Sequence, residues 1–550
     1  MPGGLLNIVA FGNQNVYLNG NPSKTFFKTA YKKYTNFGLQ KFRIDFDGLR
    51  NLRMTEPSKF TFRVKRYAEL LMDTYLVVQL PTIWSPIYPP FTCDDNWVPY
   101  EFKWIENLGT QMIQEVEINV GGSTLNRFSG EYLLSLVQRD FNKSKTDLYN
   151  NMTGNTVELN DPANANGNVN AYPNAYYTSN SVGPEPSIRA RKLYIPLNFW
   201  FTLASKMAFP LVALQYNELE INITLRPVQD LIQIRDVTDV ENNHPHIQPN
   251  FNISEQQFYR FIQPPPDVSL NYVDQRTTWN SDIHLISTYA FLSEEESKVF
   301  AAREQKYLFK SIYEWKYFNV TGSQRVKLDS TMGMVASWMY YFRRSDINLR
   351  NEWSNYTNWA YNNIIPQPIT LADTSGSWNL PDCNQFDIGP NTDPMNGFHN
   401  GLFITGDYNV ENQKLILLDM GILLDGKYRE NVMDSGIYNY IEKYVRTAGN
   451  APDGLYCYNF ELNTDPFDFQ PSGAMNLSKF NDIQFEFNTY VPPLDPSASF
   501  YNICDPCGNI IGVNKPSWRI YNYNYDLTIH EERYNMITFV GGNAGLMYAR

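Results

Sequence analysis

An all-β chain made of large antiparallel sandwiches is what this sequence predicts, and three observations carry the prediction. Leu219-Glu220-Ile221-Asn222-Ile223-Thr224-Leu225-Arg226 alternates apolar and polar at every step, as a strand does when one face is buried and the other wet. Similar short runs recur along the chain with turn residues between them, 33 Pro and 31 Gly in all, which is the spacing of a sandwich. Aromatic residues make up 15% of the chain and charged residues 19%, enough to fill sizeable cores and too little charge for a disordered polymer. The 550 residues fit about three or four average domains, or equally two sandwiches of roughly 200 to 250 residues each.

Taken in order, residues 1–24 are rich in Gly and Asn and end in Asn19-Gly20-Asn21-Pro22, a turn-dense arm rather than a core element. Strand candidates follow at Phe60 to Lys65, Tyr75 to Leu80 and Val116 to Val120, the last running into the turn Gly121-Gly122. The segment Asn142 to Ser187 is crowded with Asn, Pro, Gly and Ala; with so little apolar periodicity it is expected to be a long exposed loop. Two strands are expected in the stretch Ile188 to Pro227, Leu193 to Thr202 and Leu219 to Arg226. Residues 227–281 read as a connector, because Pro264-Pro265-Pro266 supplies no ladder donors and cannot lie in a central strand.

A second unit is expected to open at Asp282 to Phe291, followed by Ser293-Glu294-Glu295-Glu296. Ser at the cap and Glu three residues later form a capping box, with acidic side chains at the positive end of a helix. Further strands are expected at Tyr307 to Phe318, Met334 to Phe342, Leu415 to Met420, Tyr456 to Leu462, Ile483 to Phe487 and Ile520 to Ile529, where Tyr521, Tyr523 and Tyr525 would share a face. No short fixed-period repeat occurs, which argues against solenoids and propellers.

Several blocks carry a family resemblance. Leu193-Tyr194-Ile195-Pro196-Leu197-Asn198-Phe199-Trp200-Phe201, then the run from Phe209 to Ile223, is similar to the end of the first jelly roll in major capsid proteins of nucleocytoplasmic large DNA viruses. Gly3 to Phe37, the block Gln470-Pro471-Ser472-Gly473-Ala474-Met475-Asn476-Leu477-Ser478, and Arg533 to Ala549 agree, in the family's order. The resemblance thins out in about 140–188, 227–275 and 345–410, which read as loops.

It implies two consecutive eight-stranded jelly rolls with long loops and a few short helices: an arm at 1–24, a first roll at 25–226 with a loop insertion at about 142–187, a connector at 227–281, a second roll at 282–530 with an insertion at about 345–410, and a C-terminal segment at 531–550. It further implies a late-expressed structural protein of the virion capsid, synthesised and assembled in the host cytoplasm. Its homotrimers would be pseudo-hexameric capsomers tiling an icosahedral shell, in contact with neighbouring capsomers and with minor capsid and penton proteins. The arm would face inward, near an inner viral membrane but not inserted in it. The block Gln470, Pro471, Ser472, Gly473, Asn476 and Ser478 resembles the family's turn before a late strand. Turn chemistry explains it as a folding determinant: Pro fixes φ, Gly permits positive φ, and Asn and Ser bond nearby backbone.

Against this stand the chemistries that the residues do not favour. A formal charge of −12 without a basic run argues against direct nucleic-acid binding. Five cysteines are too few, and odd in number, for a disulfide framework and point to a reducing compartment. Cys504-Asp505-Pro506-Cys507 has half the ligands of a structural zinc site, and His244-Pro245-His246 lacks a third ligand, so neither is expected to hold metal. Val540-Gly541-Gly542-Asn543-Ala544-Gly545 lacks the strand–turn–helix context of a dinucleotide loop. No cofactor and no catalytic residue is expected. Seven Asn-x-Ser/Thr sequons occur, of which Asn151 and Asn355, both read as loop positions, are the candidates for glycosylation. No apolar run reaches the ~18 residues of a spanning helix, and the apolar patch Leu5 to Phe11 has no basic region ahead of it to make it a signal peptide.

Two loops, 142–187 and 345–410, are expected to crown the outer surface. Trp353 to Tyr361 is expected to be an apolar patch that needs a partner subunit to cover it. The aromatic richness also fits a carbohydrate-binding or carbohydrate-cleaving sandwich, though cores use aromatics too. A minor capsid paralogue of the same fold is a third reading. Solution mass separates the sugar protein from the capsomer, and abundance in particles separates the two capsid readings.

Overall fold

The computed structural model describes residues 2–48, 51–88, 98–175, 185–238, 244–266, 272–329, 333–362, 413–491, 501–504, 510–514 and 523–548. Its principal strands are β1 (Phe37–Ile44), β2 (Ser58–Val64), β3 (Leu70–Gln79), β4 (Ile113–Val120), β5 (Ser123–Phe128), β6 (Lys192–Pro196), β7 (Leu219–Leu225) and β8 (His284–Leu292). A second set follows: β9 (Gln305–Tyr317), β10 (Ser323–Lys327), β11 (Met334–Arg344), β12 (Leu417–Leu424), β13 (Lys427–Asp434), β14 (Leu455–Asn459), β15 (Ile483–Thr489) and β16 (Tyr525–Val540).

The sheets run β1-β8-β3-β6 and β2-β7-β4-β5, then β9-β16-β11-β14 and β10-β15-β12-β13. Both sets therefore have one strand order, with the first strand beside the eighth and the second beside the seventh. That order is the jelly roll, an antiparallel double sheet whose chain winds between two layers. The sequences of the two halves show no such kinship; the topology does.

The alternating stretch behaves as its periodicity predicts. In β7, Leu219, Ile221, Ile223 and Leu225 are buried, while Glu220 faces outward, opposite Arg63 of β2. Gly121 and Gly122 both take positive φ in the turn to β5, the conformation that two-residue hairpins demand.

Elsewhere the structure moves the expected boundaries. The strand expected to open the second unit is β8, hydrogen-bonded to β1 on one side and β3 on the other. It fills the gap between them and completes the first roll, which therefore extends to Leu292. Residues 227–281 are more than a connector: Val228, Leu231, Ile232, Ile234 and Trp279 are buried in the first core, on a single 3-10 turn and on strands of four residues or fewer, too short to show a period. Likewise 531–550 is no separate segment, because β16 runs unbroken from Tyr525 to Val540 at the centre of the second roll.

The expected strand Leu193 to Thr202 ends at Pro196. Beyond it Thr202 Oγ1 donates to the Leu197 carbonyl at 2.6 Å and accepts from the Phe199 amide at 3.0 Å, closing a helical turn at Trp200–Leu203. The expected loop 142–187 begins as a helix, Lys143–Thr153, capped by Asn142, whose side chain accepts from the Lys145 amide. Only Tyr149 and Thr153 of that helix are buried, too few to print an apolar period on so polar a segment. The arm also coils, into Gly3–Val9 and Asn13–Asn19, neither of which buries a residue. At Glu294–Ala302 the expected cap holds, Ser293 accepting from the Glu296 amide.

Candidate functional site: the charged seam between the sandwiches

The helix Gly130–Asp140 follows β5 and lies where the first roll meets the β9-β16-β11-β14 sheet of the second. Ser129 caps it by accepting from the Tyr132 amide, and the same hydroxyl donates across the seam to Glu314 Oε2 at 2.7 Å. One face supplies Leu133 and Leu136 to the first core. The helix also buries Glu131, Arg139 and Asp140, at 2%, 0% and 3% exposure. Burying a charge is costly unless it is paired and fully hydrogen-bonded, so the partners decide what these residues do.

At the first turn Glu131 Oε1 accepts from Arg226 at 2.7 Å and Arg343 at 2.8 Å, and Oε2 from Tyr341 at 2.6 Å. Burial alone would raise the carboxyl, but Arg343 and Arg226 outweigh it and hold Glu131 well below the usual range. At the last turn Arg139 chelates Asp140 through Nε and Nη2 and reaches Glu532 of β16 at 3.0 Å and Ser337 of β11 at 3.0 Å. Glu532 also accepts from Tyr132 and Ser337, both at 2.7 Å. Here too burial works against ionisation, yet Arg139 and Lys310 win and bring Glu532 down to about 2. Asp140 accepts from Thr464 at 2.6 Å.

Between the two ends His530 sits against the rings of Tyr132 and Tyr341, with Nδ1 3.5 Å from Glu314. Burial pushes it below its ordinary value. Apolar contacts close the seam: Trp200 packs on Tyr307 and Phe309 at 5.5 and 5.7 Å between ring centres, and Phe209 on Phe539 at 5.1 Å. Residues of both rolls consequently share one continuous core. The aromatic stretch after β6 is the first roll's half of that joint.

The block Gln470 to Ser478 lies at the edge of the second roll. Ser472 accepts from the Asn463 amide and donates to its carbonyl, and Gly473 has φ +137° with the Phe460 carbonyl 3.0 Å from where a Cβ would stand. Gln470 is exposed and its amide bonds Asp468; Pro471 is exposed. Asn476 pairs with Met334, its side chain accepts from the Ser478 amide, and Ser478 Oγ accepts from Gly333. The block thus ties the loop before β11 to the loop after β14.

The other site expectations fare unevenly. Asn151 is exposed in its helix, but Asn355 is 3% exposed. Its amide donates to the Trp359 carbonyl and its oxygen accepts from Thr357, so Asn355 is not a loop acceptor for glycan. Nor is Trp353 to Tyr361 an uncovered patch. Trp353 donates to the Asp230 carbonyl under the Arg226 guanidinium, Tyr356 packs on Tyr341 at 4.4 Å, and Tyr361 donates to the His246 carbonyl. The segment straps the first roll to the second within one subunit. Residues 363–412, with most of the other expected crown loop, lie outside the described residues, as do Tyr521 and Cys507. Among the described residues no three His, Cys, Asp or Glu side chains form a metal-holding group.

The acid limb of stability follows from these shifts. Below its ordinary value of 6.5, His530 takes up a proton more readily when unfolded, so stability declines as pH falls below about 6.5. His246 and His284, lowered by burial too, add to this decline. Glu131 and Glu532 contribute fully above 4.5 and lose their contribution as pH falls below it, Glu532 doing so towards about 2. From pH ~7 downward a melting series should slope gently to pH ~5 and more steeply below pH ~4.5, the fall being partly offset by Asp140 and Glu531, whose carboxyls burial raises. His530→Gln should flatten only the gentle limb; an unchanged limb would show that His530 does not report on the seam.

Two eight-stranded rolls of one strand order, joined through a shared core, define a double jelly-roll protein. Comparison agrees. A family model described as the major capsid protein N-terminus matches residues 25–263. The chain is 22% identical to the major capsid protein of Phaeocystis pouchetii virus and 24% identical to that of Paramecium bursaria Chlorella virus 1, each alignment covering all of both chains. The solved structure of PBCV-1 VP54, fitted into a reconstruction of the virophage Sputnik, superposes with a TM-score of 0.60 over 96% of this chain and 100% of that one, at 20% identity. The Faustovirus major capsid protein superposes at 0.59 over 97% and 96%, at 12% identity. Over its whole length the chain thus resembles the major capsid proteins of large DNA viruses, and its fold is theirs.

Proposed function

We propose that this chain is the repeating wall protein of a large double-stranded DNA virus and that it works as a homotrimer. The observation that carries the reading is the seam: two rolls of one topology, bolted together by buried ion pairs and a common core, make a rigid two-lobed subunit. Three such subunits about an axis give six similar lobes, a pseudo-hexameric tile that packs in an icosahedral wall. Its partners are then neighbouring capsomers, minor capsid and penton proteins, and, without insertion, an inner membrane. Synthesis late in infection in the host cytoplasm fits the same reading, and no reaction is required of the protein. Asn151, exposed on its helix, remains the candidate for modification.

Because Trp353 to Tyr361 is covered within the subunit, the trimer does not rest on that stretch. The test is mass in solution. Sedimentation over a wide concentration range should give about three times 63.8 kDa, held on dilution if the interface is of the obligate class, about 2,000 Å² or more. A folded monomer at all concentrations would overturn the reading.

A further inference from the structure

The chain's charge is unevenly placed. Of 45 Lys and Arg and 57 Asp and Glu in all, the first 44 residues hold six of the former and none of the latter. The same stretch is stripped of burial: from residue 2 to residue 41, every position except Asn15 is exposed. Yet it is not polar. Leu5, Leu6, Ile8 and Val9 stand in solvent on the helix Gly3–Val9, and Phe26 and Phe27 are 98% and 99% exposed. Lys24, Lys28, Lys32 and Lys33 interleave with these rings and with Tyr31 and Tyr34.

An aliphatic helix left in water, followed by aromatic rings that alternate with unopposed cations, suits one kind of surface. We propose that residues 3–34 bind the face of a bilayer containing anionic lipid. The apolar side chains enter the headgroup and upper acyl region, and the lysines lie along the phosphates with their stems over the apolar layer. Tyr and Phe suit that depth, where one end of a ring is dry and the other wet. The arm lies on the membrane and does not cross it: each helix has seven residues, about 10 Å of rise against a hydrocarbon core of about 30 Å. Nucleic acid would also attract the lysines and stack on the rings, but it offers nothing to Leu5, Leu6, Ile8 and Val9. An acidic protein face would answer the charge and leave the same aliphatic row uncovered. This deepens the membrane proximity in the reading above and rests on it for which side of the shell the arm faces.

The test uses the full chain and flotation with phosphatidylcholine vesicles, with and without about one third phosphatidylserine, enough to make the surface strongly anionic. The protein should float with the anionic vesicles and far less with the neutral ones, and salt should weaken the binding. Lys24→Glu, Lys28→Glu, Lys32→Glu and Lys33→Glu together should weaken it on the order of 100-fold or more, each lysine counting for roughly fivefold. Leu5→Ser, Leu6→Ser, Ile8→Ser and Val9→Ser together should leave residual binding that high salt abolishes. Failure of the wild-type protein to float, equal flotation with neutral vesicles, or tighter binding to single-stranded or duplex DNA than to vesicles would each overturn the proposal. Mass measured on the same samples separates the two readings: a trimer that does not float overturns the arm alone, and a monomer that floats overturns the trimer alone.

Discussion

Arg139→Met is expected to cost about 3–5 kcal/mol of stability, the range seen when one partner of a buried ion pair is removed. The side chain has 0% exposure, and its guanidinium is the nearest cation to both Asp140 and Glu532. Without it two carboxylates share a dry site, and only Lys310, 3.7 Å from Glu532, remains as a counter-charge. Methionine matches the stem in length, so loss of charge dominates over loss of packing. Combining it with Asp140→Asn and Glu532→Gln should recover part of the loss, because a neutral buried set avoids most of the desolvation cost. Urea unfolding of the three proteins measures this. A single variant within about 1 kcal/mol of the wild type would show that Arg139 reaches water, and would remove the seam's claim to hold the rolls in register.

Strands with one wet face were legible in the sequence. Leu219, Ile221, Ile223 and Leu225 alternate because they face the core while Glu220 and Thr224 on the other face of β7 are half-buried, and Ile483, Phe485 and Phe487 of β15 alternate in the same way. Legibility failed where both faces are covered. In β16 the run from Leu527 to Arg533 is buried throughout, so Glu531 and Glu532 are both inside, pointing to opposite sides of the sheet. Glu531 accepts from Trp338 in the second core and Glu532 turns to the seam. Adjacent glutamates in a strand could have signalled that at least one is buried, but Glu-Glu-Arg reads more readily as a solvated surface.

The buried charges of Gly130–Asp140 were invisible for a similar reason. Glu131 and Arg139, about 80° apart around the helix, would be the wet face of an amphipathic helix in a single-domain protein, and Asp140 its frayed last residue; here a second sandwich covers both. The boundary at 282 failed for a topological reason. A jelly roll pairs its first strand with its last, so β8 belongs with β1 across some 240 residues, and no local pattern states such a partner. Family resemblance named the architecture, while the register of the halves had to be read from hydrogen bonds.

Gly130→Ala is expected to destabilise by about 3 kcal/mol, at the upper end for overpacking, although Ala is the better helix former by about 1 kcal/mol. A Cβ at this position would stand 2.1 Å from the Thr110 carbonyl oxygen and 2.4 Å from that of Ile113. Both obstacles are backbone, in the short helix Leu108–Met112 and at the start of β4, so neither can rotate away. The seam helix must retreat, and its first turn carries the Ser129 bond to Glu314 and Glu131 with its two arginines. One methyl group therefore strains the first roll and loosens the seam together. Gly4, with nothing within 4 Å of the same added atom, is the control, and Gly4→Ala should change stability by less than about 0.5 kcal/mol. Urea midpoints for the two variants make the comparison. If Gly130→Ala unfolds with the wild type, the close approach that sets the helix against the first roll does not constrain it, and the seam's geometry must be held from the second roll alone.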